Sequence, residues 1–304
     1  MGLVAGATLA WSHPALAWNA AGHRLSAAIA WDNLQPATRE DVAALLRKHP
    51  EHERWTRRSG AADSARHTFI EASTWPDEIR KDTRFYSAGK EDPTPTLPGF
   101  PDMERRSNWH YVNIPLNGSA DSSPLSGQIA RRLPELARTL VTSSDDRERA
   151  YALPWLIHLV GDAHQPLHAS ARIDAQGRWD KLGNNLEVRN PFNSRKPMMT
   201  LHAFWDDLPG PPWLRGDRLD QAVRALVAAY PRPPPGTSSE QWLRESWTLA
   251  QDYAYPPENE PVPEITPAFF ENSREIANRR ITEAGYRLAD LLNRAFAPAR
   301  RAQR

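Results

Sequence analysis

The densest group of potential metal ligands in this sequence lies in a short, otherwise apolar segment. His158 and Asp162 are four residues apart, so on a helix both side chains project from one face and can reach the same cation. Because the flanking residues are apolar, the pair is expected on a buried face, where a carboxylate needs a partner. Pro166 must end or kink this helix and thereby redirects His168. Taken alone, the spacing is better explained by a core histidine with a polar partner.

Three further segments make a metal site the stronger hypothesis. The four-residue spacing returns at His202 and Asp206, and His110 stands among aromatic residues. Asp77 follows Pro76, which favours the first turn of a helix, so Asp77 could also be a simple helix-start carboxylate. Imidazole and carboxylate without thiolate suit zinc or manganese, and two ions about 3.5–4 Å apart are a standard arrangement for phosphoester hydrolysis. The sequence therefore predicts a site for more than one ion.

One more set of ligands depends on processing of the chain. The short apolar run at the start is followed by an Ala-Leu-Ala cleavage signature, so we predict a signal peptide over residues 1–17 and a secreted or periplasmic protein. Cleavage there frees the α-amino group of Trp18, whose lone pair could bind a metal together with its carbonyl oxygen and His23. Alternatively, Trp18 is a core anchor and His23 begins a helix.

Composition excludes several classes of protein. The 304 residues, 40% hydrophobic and 25% charged, are typical of one globular domain, predicted over residues 18–297 and followed by a frayed tail at 298–304. The net charge of +1 argues against a strongly basic duplex-DNA binder, and the absence of cysteine excludes disulfides and thiolate ligands. No apolar run reaches the roughly 18 residues of a membrane helix, so we expect no membrane insertion.

Helical periodicity dominates the chain and predicts a mainly α-helical fold. The predicted helices cover residues 23–34, 38–48, 126–140, 147–164, 219–229, 238–250 and 267–296. The best candidate for a β-hairpin lies at residues 186–188. Proline-rich stretches are predicted as surface loops between helices, at residues 93–101, 209–212, 231–235 and 256–263.

The motifs occur in a characteristic order. They are W-N-A-A-G-H from Trp18, W-P-D-E-I-R around Asp77, N-W-H-Y-V-N around His110, H-L-V-G-D-A-H-Q-P-L-H from His158, G-N-N-L-E-V from Gly183 and L-H-A-F-W-D from Leu201. This set resembles the zinc-dependent single-strand nucleases of the S1/P1 type, and the resemblance runs from Trp18 to about Phe296. More distantly, the site resembles that of zinc phospholipases C.

The resemblance implies a single-domain helical fold of the phospholipase C and nuclease P1 type, with long proline-rich loops and three zinc ions in a cleft. The implied ligands are Asp77, His110, His158 and Asp162 for one ion, His168, His202 and Asp206 for a second, and Trp18, His23 and Asp162 for the third. Asp162 would bridge two ions and, with Asp77 and Arg80, belong to the catalytic residues. His164 is expected either to support the ligands from outside or to be structural, rather than to bind metal, and the remaining mature-chain histidines are expected at the surface, namely His49, His52 and His67.

The resemblance further implies hydrolysis of single-stranded DNA and RNA to 5′-phosphate products, with 3′-nucleotidase activity as an additional expectation. Arg80 would neutralise charge on the phosphoryl oxygens, or is simply a solvated surface residue. Tyr111 could stack a base and Asn113 could contact a base edge, or both pack beside His110. Asn184 is a further candidate for substrate binding, in a loop where Leu182 replaces the family's usual glycine.

The sequence leaves three functions open. The leading hypothesis is an exported, monomeric nuclease with three zinc ions. The second is a zinc-dependent phospholipase C that uses the same metals. The third is a zinc-binding protein without turnover.

Overall fold

The structure is a computed structural model that describes residues 18–57, 64–174, 176–257 and 261–297. The predicted signal peptide, with His13, and the predicted tail at 298–304 lie outside the described residues. Within them the chain is mainly α-helical, as predicted. The helices are α1 (Ala20–Asp32), α2 (Pro36–Leu46), α3 (His52–Arg57), α4 (Ser64–Ala72), α5 (Trp75–Glu78), α6 (Ile129–Thr142), α7 (Asp146–Asp162), α8 (Leu201–Asp207), α9 (Gly216–Ala229), α10 (Ser239–Tyr253) and α11 (Pro267–Ala295).

The strands are short and form two separate pairs. Strands β1 (Ile114–Pro115) and β2 (Ser170–Ala171) pair in parallel, and β3 (Glu187–Arg189) and β4 (Met198–Thr200) pair antiparallel. The second pair confirms the predicted hairpin, and the first adds a two-residue contact between distant segments. None of the described helices is both long and apolar enough to cross a bilayer.

The seven helices predicted from periodicity are present, with ends that differ by a few residues. Their capping residues account for several of the true ends: Asp145 accepts a hydrogen bond from the Arg147 amide at the start of α7, and Ser238 accepts one from the Gln241 amide at the start of α10. The helices α3 and α4 were not predicted, and for α5 and α8 the sequence indicated only a helix start at Pro76 and the helical spacing of His202 and Asp206, without a range. They span four to nine residues, which is too short for a clear 3.6-residue period.

The core is built around α1, which is buried on nearly all its faces. Its packing against α11 requires a small residue, because a Cβ atom added at Gly285 would lie 2.6 Å from Ile29 Cβ. Helix α7 also packs on both α1 and α11, and its residues from Ala150 to the C-terminus are all buried. Two histidines expected to be ligands, His23 and His158, therefore lie on helices that cross in the centre of the molecule.

A buried ion cluster ties α1 to α4 and to the loop before α9. Glu71 is completely buried, and both of its carboxylate oxygens accept hydrogen bonds from Arg24 and Arg215. The shortest contacts, from Nε of each arginine to Glu71 Oε1, are 2.8 Å. We call these three residues the Glu71 cluster.

Candidate metal centre

Helix α7 brings the first ligands together, as the four-residue spacing predicted. His158 Nε2 lies 3.2 Å from Asp162 Oδ2, on a face that is completely buried. From outside the helix, His110 Nδ1 lies 3.0 Å from both of these atoms. Asp77 Oδ1 completes the group at 3.9 Å from His110 Nδ1 and 3.9 Å from His158 Nε2. Four atoms with lone pairs thus face one another across a space of cation size.

A second group lies on the other side of the turn that follows α7. His168, His202 and Asp206 place one ligand atom each within 4.8 Å of one another, and all three are buried. Asp206 Oδ2 lies 3.2 Å from His202 Nε2, one helical turn away along α8. Residues Pro166–Ala169 form a short 3₁₀ turn, so the predicted break after α7 does redirect His168.

Backbone carbonyls determine which imidazole nitrogen is available in three of these histidines. The Nδ1–H groups of His158, His168 and His202 donate to the carbonyls of Ser73, His110 and Leu182, at 2.7 to 2.8 Å. A neutral imidazole that donates from Nδ1 carries its lone pair on Nε2, which is the nitrogen that faces the centre. Such outer hydrogen bonds are the usual means of orienting histidines that bind a metal.

The third group contains buried polar atoms that lack partners. His23 and His158 stack with ring centroids 3.8 Å apart, and His23 Nε2 lies 3.4 Å from Asp162 Oδ1. Among the described residues, neither nitrogen of His23 nor Asp162 Oδ1 has a hydrogen-bond partner. Gly161 makes room for this ring, since a Cβ atom there would lie 2.9 Å from His23 Nδ1. Orphaned donors and acceptors of this kind fit a cation that binds them.

Trp18 lies beside this third group. Its indole is completely buried, and Nε1–H donates to the carbonyl of Gly161, the residue before Asp162, at 3.1 Å. Asn19 holds the same segment in place, because its backbone N–H donates to the Asp206 carbonyl and its side chain donates to Asp207 and Gly210. The first described residues of the chain are therefore held between two ligand groups.

The electrostatics of the centre favour a bound cation. Burial raises the pKa of Asp162 to about 7, although the charge of His158 opposes the shift. Burial also raises the pKa of Asp206 well above its usual range and lowers the pKa of His23 and His110. Burial would lower the pKa of His158 too, but the carboxylates of Asp162 and Asp77 and the hydrogen bond to the Ser73 carbonyl together outweigh it and raise that pKa. Neutral imidazoles are the form that binds metals, and a cation would remove the cost of the buried carboxylates.

The loop that orients His202 has an unusual backbone. Three consecutive residues have positive φ angles, namely Lys181 at 52°, Leu182 at 64° and Gly183 at 79°. The left-handed conformation costs a non-glycine residue about 1–2 kcal/mol, so Lys181 and Leu182 are both strained. The carbonyl that accepts the hydrogen bond from His202 Nδ1 belongs to Leu182, so a strained residue directly orients a candidate metal ligand.

The predicted substrate residues differ in their accessibility. Arg80 is not a solvated surface residue: its side chain is 7% exposed, and Nη1 lies 3.4 Å from Asp77 Oδ1. Tyr111 and Asn184 are partly exposed, and the Asn184 side chain donates to the Lys181 carbonyl. Asn113 is buried; its Nδ2 donates to Ser126 Oγ, and its Oδ1 has no hydrogen-bond partner in the described part of the chain.

Two of the remaining histidines can be assigned from their contacts. His164 is buried and structural, as expected: its Nδ1–H donates to the Val160 carbonyl, and its Nε2 accepts a hydrogen bond from Arg287. The expectation that His49 lies at the surface was wrong. It is buried, and its ring stacks on Trp55 with centroids 4.6 Å apart, because aromatic side chains from separate segments enclose it.

Sequence reasoning missed one residue that positions the ligands. Gln165 is completely buried; its Nε2 donates to Asp206 Oδ1 at 2.9 Å, and its Oε1 accepts from the Leu167 amide. One side chain thus orients a ligand of the second group and shapes the turn that carries His168. The only signal in the sequence was the place of Gln165 directly before Pro166.

Fold and site together define a class of protein, namely a mainly helical protein whose buried imidazoles and carboxylates converge on three clusters that could hold metal ions. A family model described as S1/P1 Nuclease matches residues 18–297, so the chain belongs to the S1/P1 nuclease family. The resemblance inferred from the motifs is thereby confirmed. Family membership indicates a nuclease, which is a hydrolase with a nucleic-acid substrate.

Similar proteins of known sequence are plant endonucleases. Endonuclease 5 of Arabidopsis thaliana is 24% identical over 306 residues, which cover 93% of this chain and 92% of that protein. Endonuclease 3 of the same plant is 25% identical over 314 residues, which cover 95% and 92%. Endonuclease 4 is 29% identical over 161 residues, or 48% of this chain and 50% of that protein.

Proposed function

We propose that this protein is an exported, zinc-dependent endonuclease that hydrolyses single-stranded DNA and RNA to 5′-phosphate products and also removes 3′-phosphates from nucleotides. The observation that carries the proposal is the presence of three His/Asp groups around the C-terminal end of α7. Two groups share His158 of this helix, and His168 of the other lies on the turn that follows it and donates from Nδ1 to the His110 carbonyl. Asp162 contacts His23 as well as His110. The endonuclease names of the similar proteins favour this activity over a phospholipase C.

The donor set supports zinc as the metal. It consists of neutral imidazoles and carboxylates without thiolates, in groups of three or four ligands, which suits zinc. Asp77, His110, His158 and Asp162 would hold one ion and His168, His202 and Asp206 a second. His23 and Asp162 would hold a third. Bound zinc would supply a nucleophile at neutral pH and Lewis-acid charge for the phosphoryl oxygens.

The chain's own residues would bind and orient the substrate around this centre. Arg80 is held against the ligand Asp77, so its guanidinium is in place to hydrogen-bond phosphoryl oxygens. Tyr111 directly follows the ligand His110 and is partly exposed, which allows a base to stack on its ring. Asn184 is partly exposed and is a candidate for substrate binding, and Asn113 is a candidate for a base edge through Oδ1, which has no partner among the described residues although the side chain is buried.

Two features support cleavage after residue 17 and export. The family match begins at Trp18, and Trp18 lies next to the third ligand group. A chain that starts at Trp18 carries an α-amino group there, which would complete a group that otherwise has His23 and Asp162 alone. We also propose that the protein acts as a monomer, because one chain supplies every ligand named above.

The test is an assay of the zinc-loaded protein that begins at Trp18, with single-stranded DNA, RNA and phosphatidylcholine as substrates. We expect cleavage of both nucleic acids and no release from the lipid, together with zinc by elemental analysis. A version with one extra residue before Trp18 serves as the control and should be less active. Lipid hydrolysis without nucleotide release would favour a phospholipase C. Bound zinc without hydrolysis of any substrate would overturn the proposal that the protein is an enzyme.

A further inference from the structure

A pocket of about 320 Å³ lies beside the loop that orients His202, and none of the predicted ligands lines it. Its walls include Arg172, Arg178, Trp179, Asp180 and Asn185. The combination of an indole, guanidinium groups and short polar side chains around one small cavity is typical of sites that bind a nucleotide. We call it the Trp179 pocket.

A small hairpin presents Trp179 to this pocket. Trp179 pairs with Ile173 across the hairpin, and the Asp180 amide donates to the Arg172 carbonyl at 2.9 Å. In return, the Arg172 amide donates to Asp180 Oδ1 at 3.2 Å. These contacts hold the indole at a defined place in the pocket wall, and its side chain is neither fully buried nor fully exposed.

Tyr255, two residues after the end of α10, fixes the polar side of the pocket. Its hydroxyl donates to Asp180 Oδ2 at 2.7 Å, and the Arg172 guanidinium lies over its ring, 4.5 Å from the centroid. The other guanidinium, that of Arg178, pairs with Asp174 at 2.8 Å. Because most charges here are balanced by neighbours, stacking on Trp179, rather than net charge, would supply most of the binding.

The pocket is close to the metal centre along the chain. Leu182, whose carbonyl accepts from His202 Nδ1 at 2.7 Å, is only two residues from Asp180. Trp179 is three residues from Leu182, and three residues span at most about 11 Å; the 2.7 Å hydrogen bond and the imidazole of His202 lie between Leu182 and the metal centre. A strand with its scissile phosphate at the centre can therefore place a base at Trp179 that lies a few nucleotides away, beyond the two nucleotides that flank this phosphate.

We infer that the Trp179 pocket is a subsite that stacks an unpaired base of the substrate strand, a few nucleotides from the bond that is cut. This inference rests on the proposed nuclease function and adds to it a preference for longer single strands. Stacking by one base is sequence-tolerant and requires a strand that is not paired. An oligonucleotide should therefore gain from the pocket, whereas a dinucleotide, which ends before it, should not.

The experiment compares hexathymidylate with the dinucleotide TpT as substrates of the zinc-loaded protein. We expect Trp179→Ala to lower kcat/KM for hexathymidylate by about 5- to 100-fold, mainly through KM, since one stacked base contributes on this scale. The value for TpT should not change. Trp179→Phe should retain most of the preference for the longer substrate. Trp213→Ala is the matched control, because Trp213 is 62% exposed on a different loop, and it should behave as the unmodified protein.

A binding measurement gives a readout that does not depend on turnover. A fluorescein-labelled hexathymidylate with phosphorothioate linkages, which resist hydrolysis, is titrated with the zinc-loaded protein. Its Kd should rise by a similar factor in Trp179→Ala and remain near the original value in Trp179→Phe and Trp213→Ala.

The outcomes separate this inference from the proposed function. If the unmodified protein cleaves neither substrate, the nuclease function itself fails. If it cleaves both and Trp179→Ala leaves kcat/KM and Kd for the hexamer unchanged, the subsite is wrong while the nuclease stands. An equal loss on TpT and the hexamer would show that Trp179 supports the metal centre, and would also overturn the subsite.

Discussion

Asp162 and Glu71 are both completely buried, yet their surroundings shift their pKa values in opposite directions. Burial raises the pKa of Asp162 to about 7. Burial acts on Glu71 in the same sense, but hydrogen bonds and charges from Arg215 and Arg24 outweigh it and hold the pKa at about 2. The positive charges that Glu71 needs are supplied by the guanidinium groups of Arg24 and Arg215. Asp162 has imidazoles around it instead, those of His23, His110 and His158.

The difference shows how to distinguish a structural carboxylate from a metal ligand. Each oxygen of Glu71 accepts hydrogen bonds from guanidinium groups. Asp162 Oδ1 has no hydrogen-bond partner among the described residues, and the nearest polar atom paired with it is His23 Nε2 at 3.4 Å. A buried carboxylate oxygen without a donor is costly, so the position of Asp162 Oδ1 is explained if a cation binds there.

Two histidines, one in α7 and one just after it, differ in the same way in whether the protein already occupies their nitrogen atoms. His158 uses Nδ1 for the Ser73 carbonyl and turns Nε2 toward His110 and Asp162. His164, just beyond the helix, has both nitrogens engaged by Val160 and Arg287. Six residues along the chain therefore separate a histidine available to a metal from one that is not.

The largest expected effect comes from Asp162→Asn. We expect zinc content to fall and cleavage of single-stranded DNA to drop by more than about 100-fold, since losing even an outer-shell partner of a ligand costs 10–100-fold. In the zinc-free protein the same change should not lower the free energy of unfolding, because the amide needs no counter-charge. Elemental analysis, the nuclease assay and urea unfolding measure these three quantities. Unchanged zinc stoichiometry would falsify the bridging role.

Glu71→Gln is the matched change in the Glu71 cluster and should have the opposite pattern. Removing one partner of a buried ion pair costs about 3–5 kcal/mol, so the free energy of unfolding of the zinc-loaded protein should fall by that order. Zinc content should stay the same, because Arg24 and Arg215 do not face the metal centre with ligand atoms. If Glu71→Gln lost zinc as Asp162→Asn does, the two clusters would not be independent.

His164→Leu tests the histidine contrast at a smaller scale. Val160 loses the donor to its carbonyl and Arg287 loses one acceptor, which should lower the free energy of unfolding by about 1–3 kcal/mol. Zinc content and the shape of the pH–activity profile should be retained. Loss of zinc from this variant, with a normal circular dichroism spectrum, would mean that His164 acts on the metal centre.

The smallest effect is a pH dependence of the Glu71 cluster. Because the folded pKa of about 2 lies below the ordinary 4.5, the unfolded chain takes up the proton first as the pH falls. The stabilisation is complete above about pH 4.5 and is lost as the pH falls toward 2. The difference in unfolding free energy between the unmodified protein and Glu71→Gln should therefore narrow over that range. A difference that stays constant from pH 6 to pH 3 would contradict this assignment.

Much of the fold and the site could be predicted because the signals are local. The four-residue spacings of His158 with Asp162 and of His202 with Asp206 follow from the 3.6-residue period of a helix, and Pro166 ends α7 wherever the helix lies in the molecule. The long amphipathic helices were predictable for the same reason. The ordered motifs then led to the nuclease family.

Other features could not be predicted from the chain alone because they depend on contacts between segments far apart in sequence. The contact between Gln165 and Asp206 joins residues 41 apart, and that between Glu71 and Arg215 joins residues 144 apart. The burial of His49 depends in the same way on aromatic residues from other segments, such as Trp75.

By itself, then, the sequence determined which side chains could bind metal and which of them share a helix, because helical geometry repeats within a few residues. Only the tertiary structure decided which nitrogen of each histidine faces the centre, which carboxylate already has its cations, and that Trp179 stands in a pocket beside the His202 loop. Those properties depend on how distant segments pack, and packing is set by the whole core at once.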